Sequence, residues 1–551
     1  MPSLNPAHWD QAQFTALIHT TTSSPQITTH STQEAISTQH PLTAYAGLQV
    51  LQLGGSAADA LVTMLAVDTV IQPGSSTLAG SLGLILHESI SGETYTLNAG
   101  FNRVLNDTND YDHATHHDTG RAVLVPGTVA GLEALWHRFG ILPWADLWRP
   151  AIYIAREGFL LSDSYRETLQ RRQDILLRHP EARAIFAPDG KLPEPGQIFR
   201  QPQLAETLKK LSLRGTAYFY KGEWARHLIN AVHRHGGTMR LEDMQLYQAG
   251  WEPSLSASYL DYEIRTLPPP HYGGAMLLYA LTIGEELEWH TKPTQTTSAE
   301  TLFEELQTFK TILNADTFLI DPQHASAVAQ VAFNQTLTKE QASTIAASIR
   351  HKEITQPGQD IATNPQHIVV IDRLGNIISA AHTNASDAWG DTGIFVEGIA
   401  LNSAADQLQR RLPRSGERVS EPLAAYIVLQ AAKPVLVAGA VGAGFIGCNI
   451  QNTLNILAHK MSLEEALAQP RWGNYASDSS IIPMHQAIQI ENFAPDIIQQ
   501  VKQMGQPLVQ ATPIHTGYWT AVSIDPETGT LTTVTEPRLA ESVPGTCQKA
   551  T

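Results

Sequence analysis

At 551 residues, 42% hydrophobic and 16% charged, the chain is long enough to bury a large core and cannot be disordered as a whole. A formal charge of -17 argues against nucleic acid and against an anionic membrane face as general partners, while a local basic pocket for a small acid stays compatible with it. Two cysteines, Cys448 and Cys547, exclude a disulfide framework and a Cys-based zinc site.

Residues 1–40 are polar, without a basic start followed by an apolar run, and read as a lead-in holding one modest helix between Asn5 and His19. No apolar stretch reaches membrane-spanning length, so a cytoplasmic location is expected. From Pro41 an alanine-rich pattern predicts two helices split at Gly54-Gly55, the second with small residues suited to close packing on a sheet. Leu82 to Glu88 and Glu93 to Leu97 read as a hairpin turned at Ser91-Gly92. Residues 98–120 then form a loop carrying His113, His116, His117 and Asp118. Adjacent histidines in a Thr-, Asn- and Asp-rich stretch read as a solvated loop, and no metal is expected.

A helical region follows, with turns closed at Gly140 and Gly158 and one opened at Pro143. Amphipathic helices are predicted over Leu204 to Leu211 and Glu223 to His235, and a short one begins at Leu241-Glu242-Asp243. YEIRTLPPPHYGGAMLLYALTIGEEL reads as strand, Pro-fixed loop and a helix entered through Gly273-Gly274. Residues 285–350 are mostly helix, and the polar HKEITQPGQD after them reads as mobile. HIVVID, the turn Leu374-Gly375-Asn376 and Ile377 to Ala381 then predict a hairpin at the heart of a sheet, and the active site, or its remains, is expected there. No phosphate-binding glycine loop is present, so no nucleotide cofactor is expected.

GGSAADALVTMLAVDTVIQPGSS, VPGTVAGLEALWHRFGILPWADLWRPAIYIAREGF, LAETLKKLSLRGTAYFYKGEWARHLINAVHRHGGTMRLEDMQLYQ and LPPPHYGGAMLL resemble the large-subunit half of the γ-glutamyltranspeptidase family. HIVVIDRLGN, GIALNSAADQ, GAVGAGFI and EEALAQPRW resemble its small-subunit half, in the same order. The resemblance implies an α+β N-terminal-nucleophile hydrolase fold, a four-layer αββα sandwich in which a large-subunit-like region, 41–362, and a small-subunit-like region, 363–551, intertwine as one domain. Family precursors cut themselves before a threonine, whose new α-amine and hydroxyl serve as base and nucleophile on a γ-glutamyl amide.

With His367 and Asp372 held in the family register, that threonine position falls on Pro365, which has no hydroxyl, and Gln366 follows it. The nearest hydroxyl is Thr363. Two residues of extended chain displace it by several ångström, where about 1 Å already matters to catalysis. By the same resemblance the paired carboxylate-binding serines fall at Ala424 and Ala425, and the acidic residue that holds the α-ammonium falls at Gln407, next to Asp406. The oxyanion-hole diglycine falls at Gly442 and Ala443, whose amides survive the change to alanine. The arginine that grips the α-carboxylate falls near Gly100, with Arg103 three residues on, and a family threonine is matched by Thr383.

Two readings stay open. In one, a divergent enzyme handles a small amino-acid-derived or amide metabolite through Thr363, His367 and Thr383, with Gly442 and Ala443 as oxyanion donors and Arg103, Asn384, Asn402 and Asp406 against the substrate. In the other, Pro365 marks an unprocessed, catalytically silent binding or scaffold protein, self-associated or partnered with an active paralogue. Cys448 is a weaker alternative nucleophile, with nothing in the sequence nearby to lower its pKa.

Overall fold

The computed structural model describes residues 3–18, 28–108, 110–319, 326–353, 355, 366–386, 388–408, 413–475, 487–511, 516–534, 536, 538 and 545–546. Thr363, Pro365, Cys547 and most of the segment read as mobile lie outside them.

The predicted central hairpin forms as Gln366–Ile371 against Ile377–Thr383, with His367 opposite Ala381. Successive side chains of a strand point to opposite faces, and this strand is apolar on both. Ile368 and Val370 enter the core beneath one helix layer, while Val369 and Ile371 face a second sheet. The hairpin therefore lies inside the molecule, not at its surface. Among the described residues its seven-stranded sheet runs Gly545–Thr546, Ala35–Ser37, Gln366–Ile371, Ile377–Thr383, Ser81–His87, Thr94–Ala99 and Gly250–Pro253. The facing sheet runs Thr28–Ser31, Leu531–Val534, Tyr518–Ile524, Lys433–Val441, Ala425–Gln430, Tyr262–Thr266 and Leu255–Tyr259.

Helices cover both outer faces. Ala57–Ile71, the predicted alanine-rich helix, is buried along its whole length under the first sheet, and a capping box of Ser56 and Asp59 fixes its start. Gly273–Glu286 and Phe445–Leu457 cover the second sheet, together with Ala299–Leu313. The result is the expected α+β four-layer αββα sandwich.

Residues 1–40 do more than lead in. Thr28–Ser31 pairs with Leu531–Val534 in one sheet, and Ala35–Ser37 pairs with Gln366–Ile371 in the other. These strands, and Gly250–Pro253 with Leu255–Tyr259, went unread in the sequence because runs of three to five half-polar residues carry little periodicity. Within the loop at 98–120, His113–His116 forms a single helical turn. No helix among the described residues is long and apolar enough to cross a membrane.

Candidate functional site

One end of the sandwich gathers the start of Gln366–Ile371, the ends of Ile377–Thr383 and Lys433–Val441, and the starts of Ser81–His87, Ala425–Gln430 and Tyr518–Ile524. The antiparallel order brings residues distant in sequence to this mouth. A cavity of about 360 Å³ opens here, walled by Gln39, Tyr165, Gln366, Trp389, Val441 and Tyr518, with Arg171 and Arg538 also in its lining. No aspartate, glutamate or histidine is among the described lining residues, although the chain as a whole carries -17.

His367 stands just inside the mouth, between the sheets and fully buried. The ring Nε2 lies 2.9 Å from Ser379 Oγ and Nδ1 is hydrogen-bonded with Thr520 Oγ1, while the two hydroxyls also reach the Ala438 (3.1 Å) and Gly439 (3.3 Å) carbonyls. Burial pushes the imidazole down to about 3, which keeps it neutral. With both nitrogens engaged, the ring ties three strands together. A Cβ on Gly439 would lie 2.2 Å from its Nε2, so glycine is needed there.

The other described residues singled out in the sequence are held by local hydrogen bonds. Thr383 Oγ1 accepts from the Ala385 amide (2.9 Å). Asn384 Nδ2 donates to the Gly74 carbonyl (2.9 Å), and the same carbonyl accepts the Trp389 amide (2.8 Å). Arg172 donates to the carbonyls of Ala388 (3.0 Å) and Gly390 (2.7 Å), so the loop from Asn384 to Asp391 is held from two sides. Both Ala385 and Trp389 adopt positive φ, 50° and 62°. Such strain in non-glycine residues persists only where the surroundings enforce it.

Asn402 bridges the Ala79 and Leu124 carbonyls (2.9 and 3.0 Å) and accepts the Leu124 amide (2.9 Å), which makes it a brace between segments. Asp406 accepts from Tyr111 (3.2 Å) and His113 (2.6 Å), and the carboxylate raises the pKa of that exposed imidazole. Arg103 gives Nε and Nη2 to Asp107 (2.9 and 2.8 Å) and Nη1 to the Pro413 carbonyl (2.6 Å), so its guanidinium is committed locally. Gln407 lies in the short helix Ala404–Leu408, and Ala424 and Ala425 are buried where Ala425–Gln430 begins.

Gly442 (φ 86°) and Ala443 form the turn from Lys433–Val441 into Phe445–Leu457, and neither amide meets an acceptor among the described residues. Two open backbone N–H groups at the mouth can hold an oxyanion or a carboxylate. Cys448 is fully buried, and burial raises its thiol to about 11, which leaves little thiolate for attack.

Position 100 is occupied in a way the sequence did not signal. A Cβ on Gly100 would lie 2.6 Å from Glu421 Oε2 and 3.2 Å from His271 Cε1, so any side chain there collides with two buried polar groups. Glu421 accepts from Ser81 Oγ (2.6 Å) and from the Phe101 amide (3.3 Å), and burial raises its carboxyl to about 7. His271, from the LPPPHYGG loop, has no partner for either ring nitrogen among the described residues.

Glu421 carries a pH signature. Its folded pKa lies above the unfolded value of 4.5, so its contribution to stability is complete below 4.5 and is lost as pH rises through about 7. Glu421→Gln mimics the protonated acid. Its melting temperature is expected to gain on the parent by a few degrees between roughly pH 5 and pH 8. An unchanged difference across that range in thermal scans would refute the assignment.

The histidines of the 98–120 loop do not converge on a shared point. His113 faces Asp406, His116 Nδ1 accepts the Asp112 amide (2.9 Å), and His117 Nδ1 contacts the His113 carbonyl (2.8 Å). Away from the mouth, Glu223, His227 and Glu397 bring possible ligand atoms within 4.8 Å of one another. There Lys210 Nζ already lies 3.0 Å from Glu223 and supplies the positive charge.

Two facing antiparallel sheets between helix layers, with a strand starting at the mouth of the cleft, define the class: an N-terminal-nucleophile hydrolase fold. The profile of the Gamma-glutamyltranspeptidase family matches residues 43–545, and the chain belongs to that family. It is 26% identical over 532 residues to the glutathione hydrolase proenzyme of Bacillus subtilis (strain 168), covering 90% of this chain and 88% of that one. Identity to the acylase ACY 1 proenzyme of Pseudomonas sp. (strain SE83) is also 26%, over 533 residues and 90% of each chain. The fold is shared with the crystal structure of cephalosporin acylase from Bacillus halodurans, with a TM-score of 0.79, 22% identity, and coverage of 95% of this chain and 98% of that one.

Proposed function

We propose that this chain is a divergent member of the family whose mouth binds a small amino-acid-derived acid or amide, and that it does not hydrolyse glutathione. The observation that carries this reading is the state of position 100. Glu421 and His271 fill the space into which an arginine for a γ-glutamyl α-carboxylate would have to project. Beside it, Ala424 and Ala425 offer no hydroxyl, while the described lining of the cavity next to Gln366 has arginines and no acid. The relatives named above include a glutathione hydrolase and an acylase, so the fold accommodates more than one kind of amide.

The test is release of the anilide from a γ-glutamyl anilide by the purified chain, with glutathione as competitor. No release above the uncatalysed blank is expected. Turnover inhibited by glutathione would refute the proposal.

A second reading is favoured by the open amides of Gly442 and Ala443. In it the chain is a working hydrolase that uses Thr363 after self-cleavage. Self-cleavage separates the two readings.

A further inference from the structure

Leu255–Tyr259, an outer strand of the second sheet, pairs on one side only, with Tyr262–Thr266. The turn between them, Leu260-Asp261, has two residues, so Tyr259 and Tyr262 close it as a hydrogen-bonded pair. Alternation then points the backbone groups of Tyr259, Ala257 and Leu255 at the neighbouring strand and those of Ser256 and Ser258 outward. Both serines are exposed, and their outward backbone groups have no partner among the described residues.

Sheet edges are ordinarily blunted by shortness, charge, proline or a bulge. This strand has none of these devices. At five residues it is the longest of the four outer strands described, and it pairs without a register shift. Gly250–Pro253, the outer strand that precedes it in the chain, has both Glu252 and Pro253.

The strand is also its own complement. Read antiparallel to itself about Ala257, Leu-Ser-Ala-Ser-Tyr sets Leu255 against Tyr259 of a second copy, Ser256 against Ser258, and Ala257 against Ala257. In that register the outward groups of the serines meet one another, and each serine pair exchanges two N–H···O bonds. Leu255 and Ala257, half-buried against the helix-side core, meet apolar residues across the join. An uncharged strand is also where a chain of charge -17 meets its own kind with least repulsion.

Charge selects the register. Ser256 lies beside Arg265 and Ser258 beside Glu263 in the neighbouring strand. Pairing about Ala257 gives each row across the join one arginine and one glutamate. Pairing about Ser256 would put two arginines in one row, and pairing about Ser258 two glutamates. Arg265 Nε already holds Glu263 of its own chain (2.7 Å), so the pattern sets register and adds little strength.

We propose that two copies of this chain associate antiparallel along Leu255–Tyr259, on a two-fold axis through the Ala257 pair, and join their second sheets into one. A single five-residue strand covers less than a standard interface, so the dimer is weak, with a dissociation constant on the order of 10 μM.

Sedimentation velocity on the full purified chain tests it. Between about 1 and 100 μM the sedimentation coefficient is expected to climb from monomer to dimer. Ser258→Pro removes an outward N–H and leaves the bonds to Tyr262–Thr266 in place, and is expected to weaken association about tenfold or more. Ala257→Cys brings two sulfurs onto the axis at a Cα separation of about 4.5 Å, and is expected to give a disulfide-linked dimer on mild oxidation, which the parent and Ser254→Cys do not.

A parent that stays monomeric throughout overturns the proposal and leaves the edge to an extended peptide of another protein. So does a dimer that survives in folded Ser258→Pro. If that variant does not fold, Ala257→Cys decides: failure to cross-link, or equal cross-linking through Ser254→Cys, overturns the proposal.

Discussion

On a denaturing gel the purified chain is expected to run as one band containing all 551 residues. Self-cleavage in an N-terminal-nucleophile hydrolase needs a hydroxyl at the scissile position, and the register of His367 opposite Ala381 fixes where the strand begins. By the family resemblance the position falls on Pro365, an imino acid without an attacking oxygen. The cavity beside Gln366 has serine, threonine and tyrosine hydroxyls but no described imidazole or carboxylate to activate one.

The stronger form of the prediction concerns repair. Pro365→Thr combined with Gln366→Thr is expected to leave γ-glutamyl anilide release at the blank, whether or not the variant cleaves itself, because Glu421 still fills the space beside Gly100. Two fragments of roughly 360 and 190 residues from the unaltered chain, the second beginning at Thr363, would establish the hydrolase reading instead. Family-like turnover by the double variant would show that the substrate-holding groups had been wrongly judged absent.

A large loss of stability from a single added methyl group is expected at Gly439→Ala. The new Cβ would lie 2.2, 2.4 and 2.7 Å from three atoms of the His367 ring, far inside any van der Waals contact. The ring cannot easily turn away, since Ser379 holds Nε2 and Thr520 holds Nδ1. Overpacking of a rigid core costs about 1–3 kcal/mol and occasionally more, and the upper end is expected here. Adding His367→Ala to Gly439→Ala should recover part of the loss, because the two residues are in contact and their effects do not add. A Gly439→Ala protein melting within about one degree of the parent would show that the sheets can part and that His367 is less constrained than its bonds imply.

Much of the architecture was legible in residue patterns. The apolar, β-branched run of HIVVID, the turn at Gly375 and the alanine-rich run of Ala57–Ile71 are each a local signal with one solution. The mouth was less legible. Gln39 sits in a polar stretch with no period of its own, and it matters because Ala35–Ser37 docks beside a strand more than three hundred residues away. Trp389 and Glu421 gain their roles from a loop anchored on Gly74 and from a clash with Gly100, contacts that sequence spacing does not encode. Asn402 and Arg103 show the reverse. A polar residue in a family motif suggests ligand contact, yet bracing the backbone around a cleft uses the same side-chain chemistry.

The pairing of Thr28 with Val534 and of Ser37 with Val369 sets a timetable for biogenesis. At about 5–20 residues per second of synthesis, the opening strands wait tens of seconds for the partners that complete their sheets. Until those partners emerge, the nascent amino-terminal segment presents bare edges to solvent or to a chaperone. Fusion tags and truncations near that end therefore act on the closing step of assembly, far along the chain from where they are attached.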